Sequence, residues 1–172
     1  MSHESRRKYS GWRVGIWVVC LLLICACGAP EASEDARQAD VFRLDVDAVG
    51  ERLYHELVYR DQLEALTPTL VYVLFGIDEN DVMEQKNFFS SGATAEEVIV
   101  FQAAGSAALA ALTLAVEARI NDQKEIYASY APEEILYLDG AVLREKGDYL
   151  IYCVAADPVA AASLVDEILG NP

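Results

Sequence analysis

Positive charge is scarce in this sequence of 172 residues: 13 Lys and Arg stand against 28 Asp and Glu, for a formal net charge of −15. Nucleic-acid phosphates are held by Lys and Arg clusters that release counterions, so this balance excludes nucleic acid as a partner, and it repels anionic polymers and lipids as well. Histidine is almost missing, with only His3 and His55. His55 has no Ser, Cys or Asp at a spacing that would make a nucleophile and base. There is no phosphate-cradling glycine loop and no Cys/His zinc spacing. Asp78-Glu79-Asn80-Asp81 offers oxygen ligands but lacks the glycine and terminal glutamate of an EF-hand loop. We therefore expect neither a metal nor a cofactor. Tryptophan is confined to Trp12 and Trp17. At 53% apolar and 24% charged residues, the chain is neither disordered nor built of many membrane spans, and its length suits one domain.

What is present begins at the N-terminus. Arg6, Arg7, Lys8 and Arg13 precede an apolar run from Val14 to Ile24, the layout of a secretory signal. From Val14 to Ala29 the run is about 16 residues, short of the roughly 20 that a bilayer-crossing helix needs. It ends Ile24-Cys25-Ala26-Cys27-Gly28, which resembles the lipobox of bacterial lipoproteins: a branched aliphatic residue, a small residue just before the cut, then the cysteine that is acylated. Residues 1–26 are thus expected to be a lipoprotein signal peptide and Cys27 the lipidation site. Two or more acyl chains, at about 0.8 kcal/mol per buried methylene, suffice for stable anchoring. Cleavage before Cys27 would leave 146 residues with nine basic and 27 acidic side chains, a net charge of −18, and Cys153 as the one remaining thiol besides the lipidated residue. No internal disulfide is then available, so the core must hold the fold by itself.

Residues 27–40 comprise Cys27 and a small, acidic, aperiodic stretch that reads as a tether of roughly 45 Å when extended. Residues 41–172 form the expected domain. Apolar residues at helical spacing from Asp47 predict a first helix ending near Arg60. Thr67-Pro68 and Gly76 bracket a short helix by their capping signals, whereas the β-branched and aromatic residues of Thr69 to Val73 suit a strand. Val82 to Phe89 and Glu97 to Ala103 read as strands, the second apolar on both faces and hence central. Ser106 to Tyr130 carries a stripe of Leu109, Leu112, Val116, Ile120, Gln123, Tyr127 and Tyr130, which predicts one long helix stopped by Pro132. Ile135 to Arg144 and Asp148 to Ala155 read as two more strands. Asp157-Pro158 opens a last helix that runs to Leu169. A shift of 52 residues aligns Val98 to Ser106 with Leu150 to Pro158, which suggests two strand-strand-helix units; composition alone also gives such an alignment. The expected fold class is α+β: an antiparallel sheet of about four strands with helices on one face, preceded by one or two short helices.

The segment Ser91-Gly92-Ala93-Thr94-Ala95-Glu96-Glu97, running into Val98-Ile99-Val100-Phe101, resembles a lipoprotein family of Gram-positive bacteria catalogued as domain of unknown function 4358. Leu74-Phe75-Gly76-Ile77-Asp78 is similar to that family's Tyr-Gly-Ile-Asp segment, with Phe75 in place of the usual Tyr. Gln123, Tyr130, Pro132 and Glu133 resemble its Q…Y-x-P-E stretch, and Gly147-Asp148-Tyr149 its G-x-Y turn. The resemblance runs from about Val41 to Leu169 and implies family membership but no reaction.

Ser91, Gly92, Thr94, Glu96 and Glu97 form the candidate surface or turn motif. Gly92 is expected at φ > 0, with Thr94 and a glutamate satisfying the turn's exposed donors. Adjacent Glu96 and Glu97 point to opposite faces of a strand, so they do not form a facing acid–base pair. Their change to Gln is expected to leave stability nearly unchanged. Cys153, in a central strand, reads as a small buried hydrophobe. Tyr127, Tyr130 and Tyr137 are either ordinary half-buried tyrosines at a helix–sheet junction or, with the Ser90 to Thr94 turn, flank a recognition surface. The functional expectation is a lipid-anchored extracytoplasmic domain, held to the membrane through Cys27, that binds or scaffolds a protein or another envelope component without catalysis. The alternative is a small envelope hydrolase using acidic side chains.

Overall fold

The computed structural model describes residues 42–170. The expected signal peptide, Cys27 and the tether to residue 40 fall outside the described residues. In chain order the elements are α1 (Val46–Glu56), α2 (Pro68–Phe75), a 3-10 turn (Glu79–Asp81), β1 (Val82–Phe89), β2 (Glu97–Ala103), α3 (Ser106–Tyr130), α4 (Glu134–Asp139), β3 (Val142–Lys146), β4 (Tyr149–Val154) and α5 (Pro158–Ile168). The strands make one antiparallel sheet in the order β1-β2-β4-β3. The fold is α+β. No helix among the described residues is long and apolar enough to cross a membrane.

The central strands β2 and β4 are buried almost throughout. A strand apolar on both faces must be covered on both, and here the helices lie on two faces where one was expected. Val98, Val100, Ile151 and Cys153 pack with Val49 and Leu53 of α1 and with Ala161 and Val165 of α5. Ile99, Phe101, Leu150 and Tyr152 pack on the opposite face with Val71 and Phe75 of α2, Leu112 and Val116 of α3, and Leu138 of α4. The two strand-strand-helix units suggested by the 52-residue alignment are not symmetric copies. Val98 faces α1 and α5 while its counterpart Leu150 faces α3, so α3 and α5 cover opposite faces.

Local signals account for most element ends. Asp45 caps α1 by accepting from the Ala48 N–H at 2.9 Å, and Asp157 caps α5 through the Val159 and Ala160 N–H groups. The segment that suited helix or strand is the helix α2, with Pro68 in its first turn and Gly76 closing it at φ 65°. Two expectations fail. The first helix ends at Glu56 rather than near Arg60, because the backbone N–H groups of Arg60 and Asp61 turn to the Glu96 carboxylate. Residues expected to begin a strand at Ile135 form α4 instead. Glu134 and Leu138, one helical turn apart, are the buried pair, while Leu136 is 73% exposed; a strand would have put Ile135, Tyr137 and Asp139 on one face.

Candidate functional site

The β1–β2 connection, Ser90 to Glu96, is gripped from several sides. Gly92 takes φ 96°, as expected, in a turn whose carbonyls are held by α3: Tyr127 Oη donates to the Thr94 carbonyl and Tyr130 Oη to that of Gly92. Ser90 Oγ donates to the Thr94 carbonyl and accepts from the Gly92 N–H. The carboxylate that caps the turn's donors is Asp61, which accepts from Ser91 N at 3.0 Å and Ser91 Oγ at 2.7 Å. These bonds hold the Asp61 carboxyl below the usual carboxylate range.

Glu96 and Glu97 do point to opposite faces, but both are buried, at 0% and 2% exposure, and neither belongs to the surface. Glu96 accepts from the backbone N–H groups of Arg60 and Asp61, from Arg60 Nε at 3.1 Å and from Thr94 Oγ1. The same guanidinium makes a forked pair with Glu134, at 2.7 and 2.6 Å, and lies 3.5 Å from the centre of the Tyr137 ring. Glu134 also accepts from Ala95 N at 2.8 Å. Its carboxyl is held below the ordinary value, first by Arg60 and then by Ala95. Arg60 therefore buckles the chain after α1 to both β2 and α4.

On the other face, Glu97 binds Arg119 Nε at 2.8 Å, Arg119 Nη2, and the Gln123 side-chain amide. Burial pushes the Glu97 carboxyl up, against the opposing pull of Arg119 and Gln123. Arg119 stands over Phe75 and Phe89, 5.0 and 5.7 Å from their ring centres. Sequence reasoning missed Arg60, Asp61, Arg119 and Glu134. Arg119 alone carried a local signal, since it lies one turn before Gln123 on the buried side of α3; the others act across long sequence separations.

Between α2, α3 and the turn lies a pocket of about 270 Å³. Its floor is Phe89, Glu97 and Gln123; its rim is Leu74, Ile126 and Tyr130, the last three 39%, 57% and 58% exposed. A second pocket of about 440 Å³ adjoins it, sharing Leu66, Phe89, Ser90 and Ser91 and adding Asp61, Gln62 and Glu64. Phe89, in the shared wall, exchanges backbone hydrogen bonds with Glu64 at 2.8 and 2.9 Å. Tyr127 and Tyr130 thus flank the turn as the sequence suggested, whereas Tyr137 packs on Arg60 away from this groove. Of the three buried glutamates only Glu97 lines the pocket, and its oxygens are committed to Arg119 and Gln123. His55 is exposed and pairs with Glu51, Asp78 caps the 3-10 turn, and Cys153 is buried, its thiol pushed up to about 12 by burial. Among the described residues no three His, Cys, Asp or Glu are grouped to hold a metal.

No curated protein and no solved structure matches this chain. A family model described as Domain of unknown function (DUF4358) matches residues 60–155. That span is narrower than the resemblance from Val41 to Leu169: it opens at the Arg60 buckle, closes at the end of β4, and leaves out α1 and α5. It holds the turn, the buried glutamates with their arginines and both pockets, and on this match the chain belongs to the DUF4358 family.

Proposed function

We propose that this protein is a lipid-anchored extracytoplasmic domain that binds a component of the cell envelope without catalysis, using the groove beside the Ser90 to Thr94 turn. The anchor rests on the basic n-region, the short apolar run and the Ile24-Cys25-Ala26-Cys27 box. The observation that carries the binding role is the use made of the buried acids. Glu96 and Glu134 are spent on Arg60 and on backbone donors, and Glu97 on Arg119 and Gln123. A hydrolase of the acidic type needs two carboxyl groups converging on one bond, about 5 to 9 Å apart and free to exchange protons. The first pocket offers one buried carboxylate, Glu97, already paired with Arg119, and the adjoining one adds Asp61, held by Ser91, and Glu64, which is exposed rather than buried. Exposed Leu74, Ile126 and Tyr130 around a preformed floor suit recognition instead.

The test has two readouts in cells. Radiolabelled fatty acid should enter the wild-type protein and not Cys27→Ser. A photo-crosslinking amino acid at Tyr130 should give a discrete adduct, while one at Leu114, exposed elsewhere on α3, should give none. Equal adducts at both positions, or none at Tyr130, would remove the groove as the binding surface.

A further inference from the structure

The two pockets differ in character. The first is rimmed by exposed Leu74, Ile126 and Tyr130, and the second carries Asp61 and Glu64. They share a wall, so an apolar seat and an acidic seat lie side by side. Glu64 is exposed and makes no ion pair among the described residues, while Asp61 is already bonded to Ser91.

Charge sets the sign of the partner. Residues 42–170 hold eight Lys and Arg against 23 Asp and Glu. Six of the eight cations, Arg52, Arg60, Lys86, Arg119, Lys124 and Arg144, are paired with carboxylates. Lys146 donates to the Leu169 carbonyl. The excess carboxylates therefore face solvent, and a long-range field of this sign draws in cations and repels anionic lipid. We propose that the groove binds an extended segment of a cationic protein partner, with an apolar side chain seated against Leu74, Ile126 and Tyr130 and a neighbouring lysine or arginine against Glu64. This deepens the binding role inferred above and rests on it.

The described chain begins away from the groove. Phe42, where the described chain begins, packs on Gly147 and the Tyr149 ring at the β3–β4 turn. That turn sits beside Gln102, at the far end of β2 from Glu97 and the Ser90 to Thr94 turn. Six steps of β2 at about 3.3 Å separate the two ends by roughly 20 Å. A partner can thus occupy the groove without meeting the point where the chain joins the domain. The floor is already built, so binding orders little besides the partner itself.

The test is an NMR titration of the mature chain, residues 27–172 with Cys27→Ser, against short synthetic peptides repeating Leu-Lys-Ser, Leu-Glu-Ser or Ser-Lys-Ser. The Leu-Lys-Ser peptide should shift the amides of Leu66, Ser91, Ile126 and Tyr130. Its affinity should fall at least about fivefold between roughly 50 and 500 mM salt and about tenfold in Glu64→Lys. Leu74→Asp should abolish it, with circular dichroism confirming that both variants are folded. Equal binding of Leu-Glu-Ser would overturn the cationic partner while leaving the groove as a binding site. Shifts confined to another face would overturn the proposal, as would shifts of the groove amides by phosphatidylglycerol vesicles or by raising the protein's own concentration. Silence from every peptide alongside a discrete adduct at position 130 sinks this inference alone; silence in both experiments sinks the binding role with it.

Discussion

Replacing Arg60 by alanine is the sharpest probe of the buckle around β2. The change removes the forked pair with Glu134 at 2.7 and 2.6 Å, the contact of Nε with Glu96 at 3.1 Å and the stacking on Tyr137. Glu96 keeps the backbone N–H groups of residues 60 and 61 and the Thr94 hydroxyl. Glu134 keeps only Ala95 N, so most of the loss falls on a carboxylate whose side chain is 4% exposed. Breaking a buried pair from one side costs about 3–5 kcal/mol. The Arg60 side chain is itself 29% exposed, so water reaches part of the vacated space and the lower end applies, about 3 kcal/mol at pH 7. The sign of the pH dependence follows from Glu134, whose folded-state carboxyl is depressed below 4.5 chiefly by Arg60. The stability it contributes is complete above the unfolded value and fades as acid protonates the folded protein. Urea denaturation of wild type and Arg60→Ala should show the gap at pH 7 and its shrinkage below about pH 4. A loss under about 1 kcal/mol at neutral pH, or a gap as large in acid, would refute the reasoning.

Further outcomes follow from single contacts. Glu96→Gln, expected from sequence to be nearly silent, should cost about 2 kcal/mol in the same assay, because an amide nitrogen would face the Arg60 or Asp61 N–H. Gly50→Ala should destabilise by about 1–3 kcal/mol, since a Cβ there would sit 2.3 Å from Lys86 Cγ and force α1 away from β1; wild-type melting would refute that close approach. Gly92→Val should lose about 1 kcal/mol or more through backbone strain at φ 96° and not through a clash, as nothing lies within 4 Å of a Cβ there.

What could be read in advance was what lies close together in sequence. The bounds of β1, β2 and α3 follow from periodicity and from Pro132, and the α2 caps from Thr67-Pro68 and Gly76. The strand expected at Ile135 failed because its apolar residues suit both periods. Burial of Glu134 against Arg60, 74 residues away, selects the helical one. The two-sided cover of the sheet was implicit in Val98 to Phe101, whose double-sided apolarity demands helices on both faces. At the site, Gly92 and the tyrosines beside it were legible from turn chemistry and the helical stripe. The roles of Glu96 and Glu97 were not, since Arg60 and Arg119 reach them across 36 and 22 residues. Leu74 joins the groove only once α2 is laid against α3.

The claim that the buried acids build the domain while the groove carries its function is tested most directly by complementation of a deletion strain. Chromosomal copies carrying Leu74→Asp or Glu97→Gln would be compared for restored phenotype, with folding and anchoring checked for each protein. Leu74→Asp should be folded, anchored and unable to restore the phenotype, whereas Glu97→Gln should restore it in proportion to its folded fraction. Full restoration by Leu74→Asp together with complete loss in a folded, anchored Glu97→Gln protein would contradict the account and put Glu97 at the centre of a reaction.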